Sequence, residues 1–310
     1  MNILVTGGAG YLGSILVPKL LSLGHKVTVI DRLMYQQNSL LDVCYHKNLT
    51  FIRGDVRDEN LIQTCLKKAD VIYPLACLTG APICDRDPWA AKAINFEAVS
   101  FIGKNKSKDQ WVIFPNTNSG YGVGESGMYC TEESPLRPVS LYGKLKVAAE
   151  KELLNHENVI CFRLATVFGV SPRMRLDLLV NDFVFRALKD GFIVLYEPHF
   201  KRNYIHIRDV TKAFVHGLTH FTKMKNEAYN VGLSSANLSK KELCESIKEY
   251  IPSFYFTEAK LGKDPDQRNY IVSNEKIEKT GYAPDYALQD GIQELIKAYP
   301  LFSHQRYSNI

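Results

Sequence analysis

The chain has 310 residues, of which 45% are hydrophobic and 23% charged, and its net charge is +5. This length suits one or two packed domains of an ordinary globular protein. The positive charge is mild and scattered, without the dense basic face and aromatic platforms of nucleic-acid binders, so we expect no nucleic-acid partner. No apolar run approaches the ~20 residues that span a bilayer, and no signal-peptide pattern opens the chain, so we expect a cytoplasmic protein without a membrane partner.

The cysteines indicate the redox compartment. There are seven, at positions 44, 65, 77, 84, 130, 161 and 244, and no two have Cys-x-x-Cys spacing. An odd number without paired spacing predicts free thiols in a reducing compartment, not a disulfide framework or a zinc site. We therefore expect no metal site.

The first half of the chain alternates short apolar strands with helix-length segments. The predicted strands are Asn2–Val5, Lys26–Ile30, Leu49–Ile52, Asp70–Tyr73, Trp111–Phe114 and Val159–Phe162. The predicted helices between them are Tyr11–Leu23, Asn60–Lys67, Ala90–Lys104 and Leu141–Asn155. A strand-helix-strand rhythm with right-handed crossovers predicts an α/β fold, a Rossmann-type doubly wound parallel sheet.

After about Gly169 this rhythm weakens. The predicted helices of the second part, mixed with short strands, are Leu176–Lys189, Asp209–Phe221, Lys240–Tyr250 and Ala287–Tyr299. No Pro/Gly/Ser-rich linker separates the two parts. We expect a Rossmann domain over residues 1–168 and a smaller mixed α/β lobe over 169–310 that binds the substrate. Part of that lobe can complete the sheet, and the ligand cleft should lie between the two.

A glycine-rich turn follows the first strand. The segment from Val5 to Gly13 reads Val-Thr-Gly-Gly-Ala-Gly-Tyr-Leu-Gly and opens the first helix. Glycines let the backbone approach a pyrophosphate, and the helix N-terminus offers free N–H groups and partial positive charge. With the strand before it and the helix after it, the motif predicts a dinucleotide site. The candidate contacts are Gly7, Gly10, Tyr11, Leu12 and Gly13.

Further cofactor contacts are expected at the carboxyl ends of later strands, where open α/β sheets bind ligands. Asp31 ends the second strand, where a carboxylate can accept hydrogen bonds from the adenosine ribose and repel a 2′-phosphate. This favours NAD over NADP, although the adjacent Arg32 could soften the preference. Asp55 and Val56 follow the third strand and Ala76 follows the fourth, so we expect them to contact NAD as well.

A tyrosine and a lysine four residues apart are the sharpest chemical signal. Tyr142 and Lys146 lie on a predicted helix, where this spacing places them on one face. A tyrosine pKa of about 10 is too high for a base at neutral pH, but a neighbouring ammonium and a positive nicotinamide would lower it. Tyr142 could then accept the hydroxyl proton as hydride leaves the same carbon, while Lys146 also holds the nicotinamide ribose. Thr117 follows the fifth strand, and its hydroxyl could bond the reacting oxygen and pass the proton to Tyr142.

Together these residues resemble the extended short-chain dehydrogenase/reductase family over nearly the whole chain. The resemblance rests on the glycine pattern, Asp31, the Gly-Asp-Val that begins at Gly54, Thr117 placed four residues before Tyr121-Gly122, and the Tyr142/Lys146 pair. It implies that Tyr142 is the base, Lys146 its electrostatic partner and Thr117 a proton relay. It also implies a homodimer or homotetramer, since two long helices, here Ala90–Lys104 and Leu141–Asn155, usually pair in this family.

The second half carries segments that resemble those of nucleotide-sugar enzymes. The stretch Arg202–Val210 resembles the segment of nucleotide-sugar epimerases whose arginine holds the diphosphate, and Lys263–Arg268 resembles a later segment that clamps the phosphates and ribose. Lys263 stands where an arginine is common, and would act as a point charge. The loop Ser171–Arg175 is expected near the nucleotide. The resulting candidate substrate contacts are Thr117, Arg173, Arg175, Asn181, Arg202, Lys263 and Arg268.

The residues after Thr117 narrow the reaction. Nucleotide-sugar 4,6-dehydratases carry an Asp-Glu pair there, whereas this chain has Asn118-Ser119. Neither is a competent acid or base near neutral pH, which leaves oxidation at carbon 4, alone or followed by hydride return in an epimerase. The stretches Pro115–Gly122 and Arg163–Phe183 resemble bacterial GDP-manno-heptose 4-dehydrogenases of capsule biosynthesis, so a GDP-sugar is favoured.

Three alternatives stay open at this point. A 4-epimerase would carry the same motifs. A 4-keto-sugar reductase would run the reaction backwards with NADPH. A non-catalytic NAD sensor would be expected to lack Thr117, Tyr142 or Lys146, and all three are present.

Overall fold

The computed structural model describes residues 1–125, 127–259 and 268–302. Its strands are β1 (Asn2–Thr6), β2 (Lys26–Asp31), β3 (Leu49–Arg53), β4 (Val71–Pro74), β5 (Trp111–Thr117), β6 (Tyr129–Cys130), β7 (Val159–Leu164), β8 (Thr166–Phe168), β9 (Phe192–Leu195), β10 (Lys201–His206), β11 (Glu227–Val231), β12 (Asn237–Ser239), β13 (Tyr255–Glu258) and β14 (Ile271–Val272). Its α-helices are α1 (Gly13–Ser22), α2 (Glu59–Leu66), α3 (Ala81–Arg86), α4 (Pro88–Lys92), α5 (Ala98–Asn105), α6 (Leu141–Leu154), α7 (Leu179–Lys189), α8 (Ile207–Thr219), α9 (Phe221–Met224), α10 (Lys240–Tyr250), α11 (Glu275–Glu278) and α12 (Leu288–Ala298). None of these helices is long and apolar enough to cross a bilayer.

Seven parallel strands form the central sheet, in the order β11-β7-β5-β4-β1-β2-β3. The predicted Rossmann-type α/β fold is therefore confirmed, and all six predicted strands are found in it. The central strands are apolar along their length because helices cover both faces, and Val71, Ile72 and Tyr73 of β4 are all fully buried. The seventh strand, β11, comes from the second half of the chain, so residues beyond 168 do complete the sheet. The domain division itself stays a prediction.

The two faces of the sheet bury different helices. One core contains Val5 together with residues of α1 and α8, such as Leu16 and Phe214. The opposite core contains Leu4, with residues of α2, α5 and α6, such as Ile62. Because consecutive residues of a strand point to opposite faces, Leu4 and Val5 contribute to both layers.

The predicted helix Ala90–Lys104 is the largest departure in the first half. It consists of α4, a π-helical turn over Ala93–Glu97, and α5. The π turn adds a residue to the repeat and places Asn95 inside, 1% exposed. A hydrophobic periodicity read over the whole segment does not reveal such an insertion.

The second half packs a smaller set of elements around its own core. The strands β12-β10-β8 form one sheet, and β9/β13 and β6/β14 form two parallel pairs. Phe168, Val180, Leu243 and Leu295 belong to the apolar core that joins α7, α10 and α12. A cleft lies between this core and the carboxyl ends of the central strands, with lining residues from both halves of the chain.

Candidate active site

The glycine-rich turn forms one wall of the cleft. Gly7 has φ +69°, and a Cβ on it would lie 2.6 Å from the Cα of Ala76. A Cβ on Gly13 would lie 2.5 Å from the carbonyl oxygen of Gly8. The turn therefore accepts only glycine at these two points, and it brings bare backbone to the N-terminus of α1. All the predicted cofactor contacts of this turn, Gly7, Gly10, Tyr11, Leu12 and Gly13, line the cleft.

The acidic residue predicted to bind the ribose lies beside this turn. Asp31 is 8% exposed, accepts the backbone N–H of Ala9 at 3.0 Å and that of Leu33 at 2.8 Å, and lines the cleft. Burial raises its pKa, while the two backbone hydrogen bonds act in the opposite direction. Asp55, Val56 and Ala76 line the same cleft. These positions fit a dinucleotide whose pyrophosphate meets the head of α1 and whose ribose meets Asp31.

The three predicted catalytic residues line the same cleft. Thr117 ends β5, and Tyr142 and Lys146 lie in the first turns of α6. The Ser140 hydroxyl starts this helix by accepting the N–H of Gly143 at 3.1 Å. Lys146 is 3% exposed, and its Nζ lies 3.8 Å from the ring centroid of Phe114. The tertiary structure therefore brings together one hydroxyl, one phenol and one amine from two separate elements.

Burial dominates the electrostatics of Tyr142 in the protein alone. Burial raises its pKa above the ordinary value, and although Arg175 and Arg268 act to lower the pKa, they do not overcome burial. Burial also lowers the pKa of Lys146. Desolvation therefore opposes the charged forms of both groups in the protein alone, and the lowering of the Tyr142 pKa by Lys146 together with a bound nicotinamide stays a prediction.

Thr117 is held by Ser119, a neighbour that is not among the predicted site residues. Its Oγ1 accepts the backbone N–H of Ser119 at 3.1 Å and donates to Ser119 Oγ at 2.9 Å. Arg268 in turn donates to Ser119 Oγ and lines the cleft, as predicted for a substrate contact. In the sequence, Ser119 was noted only because it stands where dehydratases carry an acidic residue, and no local pattern indicated its contact with Thr117.

The loop between β8 and α7 covers the glycine-rich turn. Ser171 Oγ donates to the carbonyl of Tyr11 at 2.7 Å and lies 2.8 Å from Ser14 Oγ. Arg173 and Arg175, predicted substrate contacts, both line the cleft and are 3% and 7% exposed. Arg173 lies 4.4 Å over the Tyr35 ring, on the Asp31 side of the cleft, which is the side expected for the cofactor.

Asn181 has a different place from the one predicted. It is fully buried and is absent from the cleft wall. Its amide accepts the N–H of Gly169 at 3.0 Å and donates to the carbonyl of Arg175 at 2.8 Å and to Tyr11 Oη at 3.3 Å. The side chain thus holds the loop against the glycine turn, because its hydrogen-bonding groups are engaged there.

The remaining predicted phosphate contacts differ in whether they reach the cleft. Arg202 is 3% exposed and lies behind the cleft wall, with its guanidinium 5.7 Å from the ring centroid of Tyr270, which does line the cleft. Arg268 reaches the cleft itself. Lys263 lies outside the described residues.

Two sets of buried side chains support the site, and no local sequence pattern predicted either of them. Asn95, from the π turn, accepts the N–H of Leu78 at 2.8 Å and donates to the Leu78 carbonyl at 2.9 Å, which holds the loop after β4. Glu150 of α6 forms an ion pair with Arg163 of β7 at 2.7 Å, and both are buried. Within the described ranges, no cluster of three His, Cys, Asp or Glu side chains could hold a metal ion.

The fold and the glycine cradle define a Rossmann-type dinucleotide-binding protein with a ligand cleft at the carboxyl edge of its sheet. The model of the NAD dependent epimerase/dehydratase family matches residues 3–232. The chain belongs to this family. The predicted NAD cofactor and the predicted enzyme class, at the level of the family, are confirmed.

Individual relatives cover almost the full length of the chain. It is 26% identical to the low-salt glycan biosynthesis protein Agl12 of Haloferax volcanii, over 96% of this chain and 98% of that protein. It is 25% identical to a UDP-glucose 4-epimerase of Lactobacillus helveticus, over 94% of each chain. A crystal structure of DesIV, a dTDP-glucose 4,6-dehydratase of Streptomyces venezuelae with NAD and TYD bound, superimposes with a TM-score of 0.84 at 25% identity, covering 97% of each chain.

Proposed function

We propose that this protein oxidises the C4 hydroxyl of a nucleotide sugar with NAD and forms a 4-keto sugar. The observation that carries the proposal is one cleft lined by the glycine cradle, Thr117, Tyr142 and Lys146, in which no carboxylic acid follows Thr117. Instead, Asn118 and Ser119 occupy the next two positions. An elimination of water needs an acid and a base at the sugar, and these two side chains supply neither near neutral pH.

The roles of the chain's own residues follow from their chemistry. The glycine turn and Asp31 bind and orient the dinucleotide, which supplies a hydride acceptor when bound. Tyr142 accepts the proton of the C4 hydroxyl, Lys146 favours its phenolate and holds the nicotinamide ribose, and Thr117 relays the proton. Because burial raises the Tyr142 pKa, positive charge in the cleft is needed to produce the phenolate, and Arg175 and Arg268 act in that direction.

Charge and resemblance support the substrate class. Arg175 and Arg268 reach the cleft from the second half of the chain, whereas Arg173 lies on the Asp31 side, and guanidinium groups suit a diphosphate. The similar proteins named above include enzymes of UDP-glucose and dTDP-glucose. The sequence resemblance to GDP-manno-heptose 4-dehydrogenases favours a GDP-sugar, with GDP-manno-heptose as the first candidate. A homodimer or homotetramer stays a prediction.

The test uses the whole chain with NAD and a panel of GDP-, UDP- and dTDP-sugars. A 4-dehydrogenase gives absorbance at 340 nm and a keto product by mass spectrometry and NMR. A 4-epimerase, the alternative that the similar UDP-glucose 4-epimerase favours, gives the C4 epimer with no net NADH. Activity in the reductive direction only, with clear preference for NADPH, would overturn the proposal and the Asp31 argument together.

A further inference from the structure

The single hydrogen of the Thr117 hydroxyl does not point to the place where the proposed reaction needs it. It is donated to Ser119 Oγ at 2.9 Å. The proposed relay needs this hydrogen in the cleft, directed at the reacting oxygen or at Tyr142. Thr117 Oγ1 also accepts the Ser119 N–H at 3.1 Å, so both ends of the hydroxyl are in contact with the same residue. Ser119 therefore governs the direction in which Thr117 can donate.

In the protein alone Thr117 is the donor of the bond between the two hydroxyls, and the opposite direction needs a rotation of the hydroxyl groups, since each hydroxyl is chemically able to donate and to accept. Arg268 acts on the balance between the two directions. A guanidinium has donors only, so Ser119 Oγ accepts from Arg268. A hydroxyl that accepts a charge-assisted hydrogen bond is itself a stronger donor and a weaker acceptor for a second partner. Arg268 thus makes Ser119 a better donor to Thr117, although in the protein alone Thr117 still donates to Ser119.

We propose that Ser119 is a positioning residue that, with Arg268 donating to it, gives its hydrogen to Thr117 Oγ1 and turns the Thr117 hydrogen toward the sugar. The reversal takes place when a substrate hydroxyl offers Thr117 a new partner in the cleft. No covalent bond changes in this step, because each hydroxyl keeps its own hydrogen and only the direction of the hydrogen bond is exchanged.

Burial makes this arrangement specific. Ser119 is 2% exposed, so its hydroxyl orientation is set by protein groups rather than by bulk water. Arg268 lines the cleft and donates to Ser119 Oγ, so a guanidinium at the expected ligand site contacts the residue that bonds to Thr117. Arg268 is 149 residues from Ser119 in the chain. The inference rests on the proposed function.

The experiment separates chemistry from binding. The protein with bound NAD is mixed with a saturating nucleotide sugar, and the first hydride transfer is followed at 340 nm. The affinity for GDP and for UDP is measured by calorimetry. Ser119→Ala is expected to slow hydride transfer at least 10-fold and to change neither dissociation constant more than threefold. Ser119→Thr, which keeps a hydroxyl, should return the rate to within threefold of wild type.

Ser246→Ala is the matched control, since the Ser246 hydroxyl donates to the backbone carbonyl of Glu242 within α10 and does not line the cleft. A Ser119→Ala rate within twofold of wild type would overturn the inference. So would a Ser119→Thr rate as slow as that of the alanine variant, or a loss that appears only in nucleotide affinity. If the alanine variant does not fold, Ser119→Cys, with similar volume and poor hydrogen bonding, is judged by the same thresholds.

The proposed function can fail separately. If the wild-type protein reduces NAD with none of the nucleotide sugars in the panel, the proposed function and this inference are both wrong. If the wild-type protein oxidises a nucleotide sugar and Ser119→Ala does so equally fast, only the inference about Ser119 is wrong.

Discussion

Glu150→Gln is expected to destabilise the fold by about 3 kcal/mol. The Glu150 and Arg163 side chains are 3% and 7% exposed, and Arg163 Nε lies 3.2 and 3.1 Å from the two carboxylate oxygens. Burial opposes the charged guanidinium, but the hydrogen bond and charge of Glu150 outweigh it and raise the Arg163 pKa above its ordinary value. Removing one partner of such a pair costs roughly 3–5 kcal/mol, and the amide oxygen that glutamine retains places the change at the lower end.

Glu152→Gln, two residues further along α6, is the matched control. Its carboxylate lies 3.5 Å from Lys104 Nζ, and the two side chains are 24% and 63% exposed. An ion pair so open to water is worth about 1 kcal/mol or less. Both variants remove one negative charge from the same helix, so helix propensity and net charge change alike.

The assay is urea unfolding followed by circular dichroism, together with the thermal midpoint. An unfolding entropy of about 2.1 cal/mol/K per residue makes 1 kcal/mol correspond to roughly 1.5 °C for a chain of this length, so Glu150→Gln should lower the midpoint by about 4–5 °C. Glu152→Gln should shift it by at most about 1–2 °C. Equal losses in the two variants would refute the reasoning, because burial would then have no effect on the ion pair.

Lys146→Met should lower the rate of hydride transfer, measured at 340 nm, by about 10²-fold or more. Lys144 is exposed on the same helix, so Lys144→Met should leave the rate within twofold of wild type. Equal rates for the two variants would contradict the role of Lys146. Gly7→Ala should lose both stability and NAD affinity, because its φ is +69° and its new Cβ would meet Ala76. Gly24→Ala, at φ +81° in open space, should lose stability but keep its NAD affinity, as measured by calorimetry with NAD. The Glu294 pKa is lowered to about 2, since hydrogen bonds and the charge of the buried His206 outweigh burial. The contribution of Glu294 to the free energy of unfolding is therefore present above pH ~4.5 and lost as the pH falls toward 2. In urea titrations, the difference in unfolding free energy between wild type and Glu294→Gln should become smaller over that pH range. A constant difference would contradict the lowered pKa of Glu294.

Short-range patterns were enough to identify the glycine turn and the acidic residue that line the cleft. The order of strand, glycine turn and helix around Gly7–Gly13 is a relation between chain neighbours, and Asp31 at the end of the next strand follows from the parallel connection. For the same reason the spacing of Tyr142 and Lys146 was sufficient to place them on one helix. In parallel α/β sheets the strand ends meet at one edge, so Thr117 could be expected in the same cleft.

Other features could not be predicted from local patterns because they depend on burial and on distant segments. The direction of the Tyr142 pKa follows from desolvation by side chains that no local pattern identifies. Asn181 was assigned to the substrate, but its amide meets the loop at Gly169 and Arg175. The π turn around Asn95 inserts one residue into an otherwise regular helical pattern.

The amino-acid sequence by itself determined the parallel sheet, the glycine cradle and the identity of the chemical groups at the cleft, because these depend on periodicity, turn chemistry and residue type. Only the tertiary structure decided which groups touch each other, such as the link from Arg268 through Ser119 to Thr117. Hydrogen-bond partners and pKa directions depend on distance and desolvation in three dimensions, and no sequence pattern reveals the contact of Arg268 with Ser119, which lies 149 residues away in the chain.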